Sequence, residues 1–366
     1  MDKKVHVALI TDTNYAFPTK VMLHSMKQNK QPDTVYHIHI IGVDLNQASQ
    51  RLLLSQGAPD FIIDLVLAHN DYAAIGLRHT HVSKAALFKF MLPHLFPQLD
   101  RILYLDTDMI VRADLAPIYH TDLQHYWLAA IKDCGNLAHE HSKRLHTQEY
   151  FNSGFMLFNL AACRQANTSE LLFEAKRKDT LQKFMDQDAF NTVFDKHVLF
   201  LPMQYNCMAY NLARYPDADL AKYYGLTKEQ FLQHRTDPVI LHLTNKIKPW
   251  TDALKPGAED FWKYTEKMDV IRYMTLRMNT LLPKPLILCD MITYSFLGIP
   301  LFKKKYSRCK VRFYFLGLEI FKRKIVSAKK KKYYICGIPV WKMKKALNKT
   351  TYYLFSFIPI WSVTEL

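Results

Sequence analysis

Two carboxylates at i and i+2, Asp106 and Asp108, follow the apolar stretch RILYL at 101–105. Residues i and i+2 of an extended segment share a face, and where a strand ends in a turn two such carboxylates can converge on one cation. Hard divalent ions such as Mn²⁺ and Mg²⁺ favour such oxygens and borrow further ligands from substrate phosphates. Three other segments carry polar groups beside apolar runs. Asn152, Ser153 and Gly154 lead into MLFNL, where a small turn lets backbone and amide approach a ligand. Asp186, Gln187 and Asp188 stand at an expected helix start, where the helix dipole favours acids. His242 closes a β-type run in VILHLTNKIKPW, and Lys248 follows six residues later. Each segment alone reads more readily as ordinary structure than as chemistry, and a D-x-D recurs often by chance.

These segments need a frame to bring them together. Residues 5–10 (VHVALI), 36–42 (YHIHIIG), 61–67 and 101–105 read as strands. Helical spacing is expected over 15–29, 46–56 and 82–95. Strand–helix alternation predicts an α/β fold with a parallel sheet and helices on its faces. In such sheets ligands bind beyond the carboxyl ends of the strands. Asp12 and Asn14, just after the first strand, and the Asp106–Asp108 pair fall in such positions.

In order and content the segments resemble the retaining glycosyltransferases of family 8, which include glycogenin and the bacterial lipopolysaccharide galactosyl- and glucosyltransferases. The resemblance covers roughly 5–265. It implies a GT-A fold with a Rossmann-like nucleotide-binding sheet. It implies Asp12 and Asn14, in ALITDTNY, as nucleotide contacts, and Asp106, Asp108 and His242 as ligands of Mn²⁺ or Mg²⁺. Lys248 matches the residue that contacts the donor diphosphate; Asp133, Asn152, Gln187 and Asp186 match positions around the donor sugar. Two departures stand out. Lys89, four residues before Pro93, replaces the family's Arg, keeping the charge without the bidentate fork. Asn245 replaces the Gly of the motif that begins at the histidine, and Asn is among the few residues that tolerate positive φ.

The implied reaction moves glucose or galactose from a UDP-sugar to a lipopolysaccharide, lipooligosaccharide or other cell-surface glycan acceptor, with a lipid-linked glycan as the expected partner. Retention by double displacement would need a carboxylate nucleophile, by analogy with retaining hydrolases. Gln187, the residue the family places nearest the sugar, is a poor one, so front-face attack is the expected route, with Asp186 and Asp188 as weaker nucleophile candidates. A competing enzyme reading, an aspartyl-nucleophile phosphohydrolase, would want its D-x-D on an early strand and would leave the other segments unexplained.

Charge divides the chain. Residues 301–350 hold 17 Lys or Arg and one acid, Glu319, whereas the remainder balances 32 basic against 32 acidic residues. Within 267–366 a unit of about 20 residues recurs: YSFLGIPLFKKK from Tyr294, FYFLGLEIFKRK from Phe313, YYICGIPVWKMK from Tyr333 and a degraded YLFSFIPIW from Tyr353. Gly298, Gly317, Gly337 and Phe357 take matching places. A catalytic domain at 1–266 and a basic aromatic tail at 267–366 are expected, with 294–361 meeting an anionic membrane surface. A non-enzymatic basic membrane- or nucleic-acid-binding protein is the alternative for the charge, but no nucleic-acid reader motif is visible. VHVALITD is too short an apolar run for a signal peptide, 285–302 is broken by Asp290 and Pro300, and six scattered cysteines need no disulfides. The expected location is the cytoplasmic face of a membrane.

Overall fold

The computed structural model describes residues 4–68, 88–135, 139–178, 184, 186–252 and 254–265, together with the backbone of eight strands between 291 and 364. The chain divides into two compact units, 1–278 and 279–366.

Unit 1 is built on a seven-stranded sheet ordered β3-β2-β1-β4-β7-β6-β8. Its strands are β1 (Lys4–Asp12), β2 (Val35–Val43), β3 (Phe61–Ala68), β4 (Arg101–Leu105), β6 (Leu128–Lys132), β7 (Phe151–Asn159) and β8 (Val198–Phe200). Strands β1 to β4 run parallel, while β7 runs against both β4 and β6, so the sheet is mixed rather than wholly parallel. The apolar run Val7–Ile10 of β1 follows from burial on both faces. Val5, Val7 and Leu9 enter one core cluster, and Ala8 and Ile10 enter the other.

Strand order sets the location of the site. From β1 the chain moves outward through β2 and β3, then returns to place β4 on β1's other side. The crevice between the ends of β1 and β4 is a topological switch point, the usual binding place in open α/β sheets. A small sheet, β5-β10-β9, adds the last part: β5 (Met109–Val111), β9 (Cys207–Met208) and β10 (Ile240–His242). Antiparallel pairing of β5 with β10 sets His242 opposite Met109.

In unit 2 each sequence repeat forms one hairpin of an antiparallel meander. Its strands are β11 (Met291–Phe296), β12 (Ile299–Ser307), β13 (Lys310–Phe315), β14 (Leu318–Ser327), β15 (Lys330–Ile335), β16 (Ile338–Ala346), β17 (Lys349–Leu354) and β18 (Ile358–Thr364). Gly298, Gly317, Gly337 and Phe357 lie outside the described residues, as do 82–87 of the helix expected over 82–95.

Candidate active site

At the end of β4 the backbone N–H of Asp106 donates to the Gly154 carbonyl on β7 at 2.8 Å. Two residues on, the backbone N–H of Leu243 donates to the Asp108 carbonyl at 2.9 Å, tying the D-x-D turn to the end of β10. These ties bring ligand atoms of Asp106, Asp108 and His242 within 4.8 Å of one another. Gly154 is needed for that approach. A Cβ there would stand 2.5 Å from His242 Cε1 and 2.9 Å from Asp106 Oδ2.

An amide relay sets the histidine's protons. Asp133 Oδ2 accepts from Gln187 Nε2 at 2.9 Å and from Asn152 Nδ2 at 3.1 Å. With its NH₂ so committed, Asn152 presents Oδ1, which accepts from Asn206 Nδ2 at 3.0 Å. Asn206 therefore turns its own oxygen to His242 Nδ1 at 2.9 Å, which places a proton on Nδ1. His242 Nε2 faces Asp108 Oδ1 at 3.2 Å. A neutral imidazole would set its lone pair against a carboxylate there, and a divalent cation resolves that opposition. Two carboxylates and one correctly tautomerised imidazole thus fit a divalent metal, with the relay as the outer hydrogen bonds such ligands require.

Lys89 stands behind the pair. Its ammonium is 2.7 Å from Asp186 Oδ2 and 3.1 Å from Asp106 Oδ1, with the Ser153 carbonyl at 3.3 Å. Burial alone would lower its pKa, but Asp106 and Asp186 overcome that and hold it above the usual lysine range. Tyr104 donates to Asp106 Oδ1 at 2.7 Å. Asp108 is held below the usual carboxylate range: burial opposes this, and the Lys248 ammonium at its Oδ2 works against burial. The Lys248 ammonium pairs with Asp108 Oδ2 and also donates to the Leu243 carbonyl at 2.9 Å.

Asp12 and Asn14 stand at the end of β1, where Asp12 Oδ1 accepts from the backbone N–H groups of Asn14 and Tyr15, each at 2.9 Å. Asn14 is exposed. Tyr15, which carried no signal in the sequence, has its phenol pushed up to about 12 by burial and then by Asp108, Asp106 and Asp12. Asp133, Asn152 and Gln187 line a cleft of about 360 Å³ with Tyr210, Arg214 and Asn245. Asn245 has φ 98°, the positive value its substitution for Gly requires.

One sequence candidate is withdrawn on geometry. Asp188 is fully buried. Its Oδ1 accepts from Tyr150 at 2.7 Å and Arg144 at 2.8 Å, and its Oδ2 from Arg144 at 3.1 Å and the Phe184 N–H at 3.0 Å. A carboxylate so enclosed anchors the helix Gln187–Val193 and cannot reach a substrate. Asp186 does not cap that helix; it accepts from Ser153 Oγ at 3.1 Å and pairs with Lys89. Asn206 was missed by sequence reasoning because QYNCM carries no local signature.

Residues 6–253 match the sequence profile of glycosyl transferase family 8. General stress protein A of Bacillus subtilis is 24% identical over 276 residues, spanning 72% of this chain and 93% of that protein. A lipopolysaccharide 1,2-glucosyltransferase of Escherichia coli is 25% identical over 264 residues, spanning 69% and 75% respectively. The crystal structure of the galactosyltransferase LgtC with donor and acceptor sugar analogues matches with a TM-score of 0.60 at 23% identity, over 73% of this chain and 100% of that one. The fold is of the GT-A type. Since the profile spans more than half of the sequence, the chain belongs to glycosyl transferase family 8 and is a glycosyltransferase.

Proposed function

We propose that this enzyme is a metal-dependent, retaining hexosyltransferase that moves glucose or galactose from a UDP-sugar to a lipopolysaccharide-type or other cell-surface glycan acceptor. The observation that carries the reading is the convergence of Asp106, Asp108 and His242, with His242 Nε2 turned onto Asp108 by the amide relay. These three residues would hold Mn²⁺ or Mg²⁺. Bound there, the ion would offset the charge building on the departing diphosphate. Lys248, at the same carboxylate, adds a second cation for that charge. Asp12 and Asn14 border the nucleotide at the end of β1.

Asp133, Asn152 and Gln187 present a fixed set of donors and acceptors to the sugar. Gln187 is held by three of its neighbours, since its oxygen accepts from Asn152 Nδ2 at 3.2 Å and the Ser153 N–H at 3.1 Å while its NH₂ faces Asp133. An amide held this way positions substrate and does not attack it. Asp186 is neutralised by Lys89, and Asp188 is sealed. With no uncommitted carboxylate among these candidates, front-face attack, with the leaving phosphate taking the acceptor's proton, is the retaining route that the geometry favours.

Unit 2 supports an anionic membrane as the place of work. Register pairs Lys310 with Lys324, Lys324 with Lys332 and Lys332 with Lys342, a row of four lysines across four strands. Like charges at directly opposed positions destabilise a sheet, and an anionic surface removes that cost. Among the described residues no helix is long and apolar enough to cross a membrane; the proposed location is peripheral, on the cytoplasmic face. Donor hydrolysis should be screened over UDP-sugars in chelated protein, with and without Mn²⁺. Metal-stimulated turnover of UDP-glucose or UDP-galactose is expected, and undiminished turnover in chelator would sink the scheme.

A further inference from the structure

Far from the crevice, three histidines and an aspartate meet on adjacent strands. His6 and His37 are register partners on β1 and β2, His39 follows two residues later on the same face, and Asp64 on β3 is the register partner of His39. His6 Nδ1 lies 3.0 Å from His39 Nε2, and ring nitrogens of all three histidines fall within 4.8 Å of one another. His37 and His39 are stacked with ring centroids 4.5 Å apart. Six residues separate His6 from Asp12 along β1, about 20 Å at roughly 3.3 Å per residue. The cluster therefore stands at the opposite end of the strands from the nucleotide crevice.

We infer that His6, His37 and His39 form a second metal site, selective for Zn²⁺ or a similar late first-row cation, with Asp64 orienting His37. The carboxylate sets the His37 tautomer. Asp64 Oδ2 lies 2.6 Å from His37 Nε2 and 3.5 Å from His39 Nδ1. A carboxylate accepts, so His37 Nε2 carries its proton and leaves a lone pair on Nδ1, while the same carboxylate faces His39 only electrostatically and His39 Nε2 faces His6. Carboxylate-supported imidazoles of this kind are the usual outer arrangement of zinc sites. Three imidazoles with a fourth position open to water suit Zn²⁺, whereas Mn²⁺ and Mg²⁺ favour oxygen ligands. The two clusters thus select different ions: carboxylates with one imidazole at the crevice, imidazoles at the strand starts. His39 is buried against Phe96, ring centroids 4.8 Å apart. Zinc bound here cross-links β1 to β2 and, through Asp64, engages β3.

The test uses tag-free, full-length protein in the Asp106→Asn, Asp108→Asn background, so that the crevice does not contribute. After chelation, equilibrium dialysis against Zn²⁺ should show one tightly held equivalent, and Co²⁺ should give the visible bands of a four-coordinate site. Adding His6→Gln or His37→Gln should abolish that equivalent, with circular dichroism of the metal-free proteins checking the fold. Asp64 is half exposed, so Asp64→Asn is a mild change, and it should weaken zinc about 10–100-fold. The proposal is overturned if the parent binds no zinc, if stoichiometry is unchanged by both His variants, or if Asp64→Asn leaves the affinity untouched. The last result would mean adventitious binding to surface imidazoles.

Discussion

Asp133 reaches the proposed metal site without touching it. Because its oxygen takes hydrogen bonds from Gln187 and Asn152, each later amide has one workable orientation, and the sequence ends at His242 Nδ1. Cutting the relay at Asn206→Ala should therefore weaken Mn²⁺ about 10–100-fold, the usual cost of losing an outer partner of a ligating histidine. Titrating metal against donor hydrolysis reads this out, and unchanged metal affinity would show that His242 needs no such support. Asp106→Ala and Asp108→Ala should abolish turnover while the melting temperature stays near that of the parent. Retained activity in either at saturating metal would overturn the ligand assignment. Lys89 is different in kind. It neutralises two carboxylates at once in a buried position, and breaking such a pair typically costs about 3–5 kcal/mol. Lys89→Met should lower the urea midpoint accordingly, while Lys89→Arg, which keeps the charge, should lower it much less.

Among the elements, β10 shows what sequence could and could not provide. The strands 101–105 and 240–242, and the end of β1, were legible from apolar runs and their punctuation. So was the need for positive φ at Asn245, which follows from the type of residue it replaces. The pairing of β5 with β10 was not legible, because antiparallel register between distant segments leaves no periodic mark. Nor were Asn206 or the enclosure of Asp188 by Arg144 and Tyr150, which depend on tertiary packing alone. The acids at 186–188 mark a helix start in the sequence and in the structure, although Asp186 makes no side-chain capping hydrogen bond there. At Asn245 the φ of 98° costs a residue without a short polar side chain about 1–3 kcal/mol. Asn245→Gly should be neutral or stabilising in thermal melts, and Asn245→Val should be destabilising; equal melts would remove the conformational argument. On β1 and β2 the histidines add a pH dependence. In metal-free protein His39 titrates at about 4 when folded but near 6.5 when unfolded. The unfolded chain binds the extra proton between those values, so stability falls as pH drops from about 6.5 to 4, by about 3 kcal/mol at most. His39→Gln should flatten that slope in urea titrations, and an unchanged slope would place the acid sensitivity elsewhere.

For the whole molecule, the division of charge coincides with a division of structure. Net charge of +16 belongs to a window inside unit 2, and the rest of the chain is neutral. The repeat was legible as a period of about 20 residues, but not as a meander, since each unit carries too mixed a pattern to declare its strands. Once the hairpins are known, register shows that lysines recur at paired positions, an arrangement that favours an external anion. Each basic residue near an anionic leaflet contributes up to about 1 kcal/mol, so a fraction of the seventeen suffices for firm attachment. Interfacial Tyr314, Phe321, Tyr334 and Trp341 would add to it. Screening sharpens the expectation: the Debye length falls from about 8 Å at physiological salt to about 3 Å at 1 M. Full-length protein should co-sediment with phosphatidylserine vesicles at moderate salt and be largely released at 1 M. A chain ending at Met278 should stay in solution, melt cooperatively and hydrolyse UDP-sugar at the parental rate, yet glycosylate a membrane-embedded acceptor poorly. If the shortened chain fails to fold, unit 2 completes the catalytic core; if the full chain ignores vesicles, its basic rows serve another anion, and either result removes the membrane reading.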